Sequence, residues 1–486
     1  GAHTRCAPTL LSLSLLPPYG GATDSRLRSP CAISSLSNMN SQAPIIVALD
    51  IGTTKICVLA AQQDQHGKLD IIGYGKVESV GVLRGVVSNI EKTVNGIAQA
   101  IKDAEKMANI DIGVVSVGIA GQHIKSLQHR GMLTRQNGSD EISKQDIQQL
   151  IDDMHKLALP PGDKIIHVIP QEFIVDNEQG IVDPVGMSGR RLEANFHIIT
   201  GQITATKNIY KCVEKAGLEL ASLMLEPIAS AAAVLSPEEM EAGVALVDIG
   251  GGTTDIAIFH EGIIRHSAVI PFGGNVVTKD IKDGLGILQP QAEKLKIRFG
   301  SALASEIEDD RVITIPGLKG QNPKEVAESN LALIIQARME EILDQIYWEI
   351  RRSGYEKRLV GGIVLTGGGA LLAHLHKLTE LRTGLTARIG TPTEQLAHGY
   401  ESELASPIYA TAVGLLVKGF EELAEEEAPA PTPYSQPSQR TQPTKTQEKP
   451  AATTTTTNSS QEDTEGTPQK AGIFSRIFGR MREWFE

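Results

Sequence analysis

The chain writes one sentence twice. Val47–Ala61 reads VALDIGTTKICVLAA, and Ala245–Phe259 reads ALVDIGGGTTDIAIF. Each copy is an apolar run, an Asp, a turn of small residues and a second apolar run. The runs are short and rich in β-branched residues, so each copy predicts a β-hairpin. The first turn carries Gly52, Thr53, Thr54 and Lys55; the second carries Gly250, Gly251, Gly252, Thr253, Thr254 and Asp255. Glycine has no Cβ, so backbone N–H groups at such a tip can approach an anion closely, and threonine hydroxyls add donors. Asp50 and Asp248, at the strand ends, would repel a phosphate. Their useful role is to hold a hydrated Mg²⁺, directly or through water, which then neutralises the phosphates. Two such tips facing each other would clamp a polyphosphate from both sides. Taken alone, each is also just a tight hairpin with Gly where φ is positive; it is the recurrence that favours the clamp.

A third glycine cluster fits the same picture. GIVLTGGGALL, Gly362–Leu372, reads as a strand, a turn and a helix start. Gly367, Gly368 and Gly369 would let a flat base or ribose lie against the backbone, although a plain strand-to-helix turn has the same look. There is no G-x-x-x-x-G-K-[ST] phosphate loop in the chain.

The bulk properties bound the reading. The chain has 486 residues, 41% apolar and 21% charged, which is ordinary for a globular protein of several domains. A net charge of −12 argues against nucleic acid as a partner. Cys6, Cys31, Cys57 and Cys212 do not have metal-ligand spacing. Cys57 and Cys212 fall in apolar segments and read as reduced core residues. Apolar runs stay well short of the ~20 residues that span a bilayer.

Strands and helices are mixed along 44–425, which predicts an α/β protein. Ser88-x-x-Glu91 has the form of a capping box and opens a helix with Val94, Ile97, Ala98, Ile101 and Ala104 on one face. Further strands are expected at 113–120, 164–175, 196–203 and 361–369. Helices are expected at 141–157, 206–217, 226–235 and 408–427, with a helical region over 275–350. Residues 1–43 read as a leader foreign to the rest, with a faint signal-peptide core, and Met39 stands just before the first strand. Residues 426–469, rich in Pro, Thr, Ser and Gln, read as a disordered linker.

The chain ends KAGIFSRIFGRMREWFE, 470–486. At helical spacing, Ile473, Phe474, Ile477, Phe478, Met481, Trp484 and Phe485 fall within an arc of roughly 140°. Ser475, Arg476, Gly479, Arg480, Arg482, Glu483 and Glu486 fill the other side. Such a helix, ~21 Å long, suits the plane of an anionic membrane surface better than a span. A partner's groove or the protein's own body are the other surfaces it would fit.

The two hairpins and the third cluster together resemble the superfamily of actin, heat-shock chaperones and sugar kinases. The resemblance implies an actin-like, ribonuclease H-like two-lobed ATPase fold. ATP with Mg would lie between the lobes, its phosphates on the hairpins and its adenosine at the third cluster. LEPIASAAAVL (225–235) and SPIYATAVGLL (406–416) would be the connecting helices at the hinge. Glu293 and Lys296 would reach the ribose hydroxyls, although their spacing also suits a solvated pair. Glu226 matches the position of the residue that polarises attacking water, a general-base role; an acid that merely favours a helix N-terminus has the same address.

Within the superfamily, PQEFIVDNEQGIVDPVGMSGRRLEANFHIITG, CVEKAGLEL and the membrane-type tail resemble the FtsA family of bacterial division proteins. The resemblance covers about 44–425 and the last fifteen residues. It implies a first lobe at 44–235 with an FtsA-type inserted subdomain at 86–163. It implies a second lobe at 236–405 with a small subdomain at about 283–350, and a returning helix at 406–425. The implied partners are the C-terminal peptide of FtsZ on the small subdomain, further copies of the chain in a head-to-tail filament, other division proteins, and the membrane. The implied place is the inner face of the cytoplasmic membrane at the division site, where the protein would tether FtsZ filaments. ATP hydrolysis would be slow or regulatory. A sugar or small-molecule kinase, or a pilus-assembly ATPase, are the alternatives on the same body.

Overall fold

The computed structural model describes residues 43–135, 141–317, 319–320 and 322–427. The expected leader, the linker beyond 427 and the membrane residues Ile473, Phe474, Ile477, Phe478, Arg480, Met481, Trp484 and Phe485 lie outside the described residues.

Two five-stranded sheets repeat one plan. The first runs Leu69–Glu78, Lys55–Gln63, Ile46–Ile51, Val114–Ile119, Glu219–Leu225. The second runs Ile263–Ile270, Thr254–His260, Val244–Ile249, Ile363–Thr366, Ala387–Ile389. In each, the first three strands form an antiparallel meander and the last two are added in parallel. The central strands are buried on both faces, which is why they read as nearly continuous apolar runs rather than as an alternation. Cys57 and Cys212 are buried free thiols, as expected.

Two helices join the lobes, Glu226–Val234 and Ala410–Glu427. They cross through small residues. A Cβ added to Gly414 would stand 1.7 Å from the Ala229 carbonyl oxygen, so only glycine permits this approach. The apolar face of the crossing, including Ala229, Ala233, Tyr409, Val413 and Leu416, packs between the two sheets.

Local expectations needed three corrections. Helix Ile90–Ala108 is capped by Asn89, whose side chain accepts from Lys92 N–H at 2.9 Å. Ser88 instead donates to the Gly81 carbonyl at 3.0 Å and closes the preceding loop. The buried face is Thr93, Ile97, Ala100, Ile101 and Ala104, so Ala98 lies outside it. The region 275–350 is not wholly helical. Helices Gly274–Leu285, Gln289–Phe299 and Glu328–Arg352 are interrupted by a hairpin, Val312–Ile315 with Lys324–Ala327.

The largest correction concerns the insertion. It does not occupy 86–163, because Ile90–Ala108 packs its buried face into the first lobe's own core. A separate four-stranded sheet is built from Lys125–Thr134, Arg191–Gln202, Asp163–Val175 and Glu178–Ile181. Helix Lys144–His155 covers it, and Ile142, Leu150, Met154, Phe173, Leu192 and Phe196 form its private core. Strand Lys125–Thr134 has an exposed, irregular pattern and gave no strand signal in sequence.

Candidate functional site

The two hairpin tips are equivalent in register. Asp50 pairs with Cys57 across the first hairpin and Asp248 with Asp255 across the second. Gly52 N–H donates to the Lys55 carbonyl and Gly250 N–H to the Thr253 carbonyl, each at 2.9 Å. Lys55 and Cys57 therefore stand where the second tip has Thr253 and Asp255. Thr53 and Thr54 stand where it has Gly251 and Gly252. The tips meet: a Cβ on Gly251 would lie 2.2 Å from Thr54 Cγ2. The second turn is glycine-rich because the threonines of the first fill the space.

Behind the tips lies a cleft of about 570 Å³. It is lined by Asp50, Gly52, Thr53, Thr54, Lys55, Glu226, Asp248, Gly250, Gly251, Gly252, Thr253, Asp255, Glu293, Lys296, Gly367, Gly368 and Gly369. Of the nucleotide-binding candidates, Thr254 alone does not line it. Thr254 is fully buried and donates to the Phe272 carbonyl at 2.9 Å, tying the hairpin to the chain that follows its third strand.

Register symmetry does not carry over to chemistry. On the first tip, Lys55 pairs with Asp50. Burial alone would lower the Lys55 ammonium, but Asp50 and Glu226 more than reverse this and hold its pKa above the ordinary lysine value. Thr53 Oγ1 accepts from Gly85 N–H at 3.1 Å, which leaves its own proton for an acceptor in the cleft. On the second tip, Thr253 spends its proton on Asp255 Oδ2 at 3.0 Å. Asp248 is held by Ser230 Oγ at 3.1 Å and more distantly by Thr411 Oγ1 at 3.5 Å. The first tip thus offers an ion pair and a hydroxyl donor, and the second offers carboxylates.

The carboxylates crowd one another. Burial, then the neighbouring Asp50, Asp255 and Asp248, push Glu226 well above the usual carboxylate range. Burial lifts Asp248 to about 6, with Asp50 adding to it and Ser230 and Lys55 opposing. Burial and Asp248 lift Asp255 to about 7. Asp255 Oδ1 is buried without a hydrogen-bond partner. An acidic, under-satisfied wall of this kind fits a divalent cation. Among the described residues no three His, Cys, Asp or Glu side chains converge into a ready metal cage. Mg²⁺ keeps several waters and needs only one or two carboxylates beside phosphate oxygens, so the wall suffices.

The other candidates are placed as follows. Gly367 adopts φ 81°, and a Cβ there would stand 2.2 Å from Asp248 Oδ1. Gly368 has open space beside it, the nearest atom to an added Cβ being Ile408 Cγ1 at 3.9 Å. Glu293 and Lys296 form an ion pair at 2.8 Å, and both bind Thr278 Oγ1, while Lys296 also donates to the Gly274 carbonyl at 3.1 Å. They line the cleft rather than a solvated face. Glu226 opens its helix and also lines the cleft, so the two readings of it are compatible.

Sequence reasoning missed several residues here. Ser230 and Thr411, 3.0 Å apart at the helix crossing, were hidden among the small residues of the hinge helices. Gly85, Gly274 and Asn275 also line the cleft, and nothing in their local sequence marked them.

Two similar lobes, a cleft between them and paired hairpin tips define an actin-like protein. The fold matches a solved structure of the PilM–PilN type IV pilus biogenesis complex with a TM-score of 0.56 and 16% identity, covering 77% of this chain and 98% of that one. At that identity the match speaks for fold alone. The model of "Cell division protein FtsA" matches residues 245–414, and that of "SHS2 domain inserted in FTSA" matches 121–200. The second range coincides with the four-stranded insertion. The chain is 41% identical over 381 residues to the cell division protein FtsA of Pseudomonas aeruginosa, covering 78% of this chain and 90% of that protein. It is 40% identical over 379 residues to that of Neisseria meningitidis, covering 78% and 91%. The chain belongs to the FtsA family and is an actin-like cell division protein. The kinase and pilus-assembly alternatives are set aside. No helix among the described residues is long and apolar enough to cross a membrane.

Proposed function

We propose that this protein binds Mg-ATP in the cleft, assembles head to tail with its own copies, and tethers FtsZ filaments to the inner face of the cytoplasmic membrane. The phosphates lie between the hairpin tips, with Lys55 and Thr53 on one side. Asp50 and Asp248 hold Mg²⁺, directly or through water. The adenosine lies at Gly367–Gly369 and its ribose at Glu293 and Lys296. Glu226, which opens its helix against the cleft, is the base that takes a proton from water where hydrolysis occurs. When bound, the cation neutralises the phosphate charge.

The FtsZ tail peptide docks on the small subdomain around 283–350. Membrane attachment is the work of Ile473, Phe474, Ile477, Phe478, Met481, Trp484 and Phe485, with Arg480 facing anionic headgroups. The single observation that carries the nucleotide reading is the meeting of the two tips over one cleft, with the Lys55–Asp50 pair on one side and Asp248 and Asp255 on the other. Its test is equilibrium binding of a fluorescent ATP analogue with Mg²⁺ to the full chain and to Lys55→Ala and Asp248→Asn. Each substitution is expected to weaken binding by about tenfold or more. A folded wild-type chain that binds no nucleotide refutes the reading.

A further inference from the structure

Strand Ile263–Ile270 is the outer strand of the second lobe's sheet, so one row of its backbone groups has no neighbouring strand. Such an edge needs cover. The inserted sheet covers it with side chains. Gln171 donates to the Ile264 carbonyl, Gln128 to the Arg265 carbonyl at 3.3 Å, and Ser126 to the Ser267 carbonyl at 3.0 Å. The second Gln128 amide proton faces His197 Nδ1 at 3.0 Å, which makes that nitrogen an acceptor. His197 Nε2–H then donates to Ser267 Oγ at 3.1 Å. Gln171, His197 and Ser267 are buried. Strand Lys125–Thr134, at the edge of its own sheet, lies against this strand without forming a ladder with it.

The edge strand leads straight to the second hairpin tip. Two residues beyond it, the Phe272 carbonyl accepts from Thr254. Gly274 N–H donates to the Gly250 carbonyl at 2.9 Å and Asn275 N–H to the Gly251 carbonyl at 2.8 Å. On the opposite side the insertion reaches the first lobe. His167 Nε2 accepts from Leu225 N–H at 3.0 Å, one residue before Glu226. The insertion therefore touches both lobes at points that lead directly to the cleft. It has a core of its own, and its seam with the second lobe includes this polar network.

We propose that Gln171, Gln128 and His197 are positioning residues for the cleft. By holding the edge strand they hold the second tip against the first and slow nucleotide exchange. This rests on the nucleotide reading of the cleft. A partner that binds the insertion and shifts it would change nucleotide affinity, and nucleotide would change that partner's affinity by the same factor.

The test uses the full chain with Gln171→Met and Gln128→Met together, which keep side-chain length and remove the donors. Amide hydrogen exchange of the ligand-free protein is followed at 248–255 and 270–275, with the insertion's own helix at 144–155 as the control. Exchange at the tip is expected to rise about five- to tenfold, with the control unchanged. Release of a fluorescent ATP analogue, by stopped flow with Mg²⁺, is expected to accelerate by a similar factor. Unchanged exchange at the tip in the folded variant overturns the proposal. So does a rise that includes the control, which would mean general loosening. If the unmodified chain fails to bind the analogue, the nucleotide reading falls, and the exchange experiment still decides whether the seam holds the tip.

Discussion

Gly251→Ala tests whether closure of the two tips is needed for binding. Gly251 is not among the residues with positive φ, so alanine can adopt its backbone without strain. The whole cost is steric. The new Cβ would stand 2.2 Å from Thr54 Cγ2, and ordinary contact begins at 3.4 Å. Threonine is stiff at χ1 and cannot swing away cheaply, so the tips must part. Overpacking of this size costs about 1–3 kcal/mol, which is a loss of roughly 5- to 150-fold in affinity. The expected result is a Kd for a fluorescent ATP analogue raised within that range, with the far-UV spectrum unchanged. Thr54→Ser removes the offending methyl and keeps the hydroxyl. The double variant Gly251→Ala with Thr54→Ser is therefore expected to recover at least half of the lost binding free energy. Wild-type affinity in Gly251→Ala, or a double variant no better than the single, would refute the closure argument.

Three further outcomes are expected. Because the folded pKa of Asp255 is raised to about 7, the ligand-free fold holds a proton that the unfolded chain releases at lower pH. Stability from this group is full below the ordinary carboxylate pKa and is lost as pH rises through about 7. Thermal melts should therefore show Asp255→Asn above wild type at about pH 8 and the difference vanishing near pH 4, while Mg-ATP binding weakens; equal melting at about pH 8 contradicts this. Gly414→Val drives a side chain into the Ala229 carbonyl, 1.7 Å from its Cβ, and is expected to cost more than about 3 kcal/mol in urea melts or to yield insoluble protein. Deleting 470–486 should abolish co-sedimentation with anionic liposomes and leave nucleotide affinity unchanged; retained sedimentation removes the anchor from the proposal.

Much of the site was legible because its residues sit in a repeated, local pattern. Asp50, Gly52 and Lys55 lie within six positions of one another, and Asp248 to Asp255 within eight, so turn chemistry alone brings each set together. The third cluster followed from the same rule. What local pattern could not supply was the equivalence of the two turns. Matching the Thr-Thr pairs by eye aligns Thr53 with Thr253, whereas the ladders align Thr53 with Gly251 and Lys55 with Thr253. The difference in chemistry between the tips depends on that register. Ser230 and Thr411 escaped notice for a related reason: they bond Asp248 from two different helices, one of them 163 positions away, and these helices meet at the Gly414 crossing.

The insertion shows where periodicity misleads. Helix Ile90–Ala108 has a strong amphipathic stripe, but a stripe says only that one face is buried, not against which core. Here it packs on the first lobe, and the inserted sheet begins beyond it, at Lys125. The strand that starts that sheet is exposed along most of its length, and its outer edge meets another sheet through polar side chains. A strand that ladders on one side only, and meets a distant edge through polar side chains on the other, has no reason to alternate apolar and polar residues. It reads as a loop in sequence, and it becomes visible only when the strand it guards is in place.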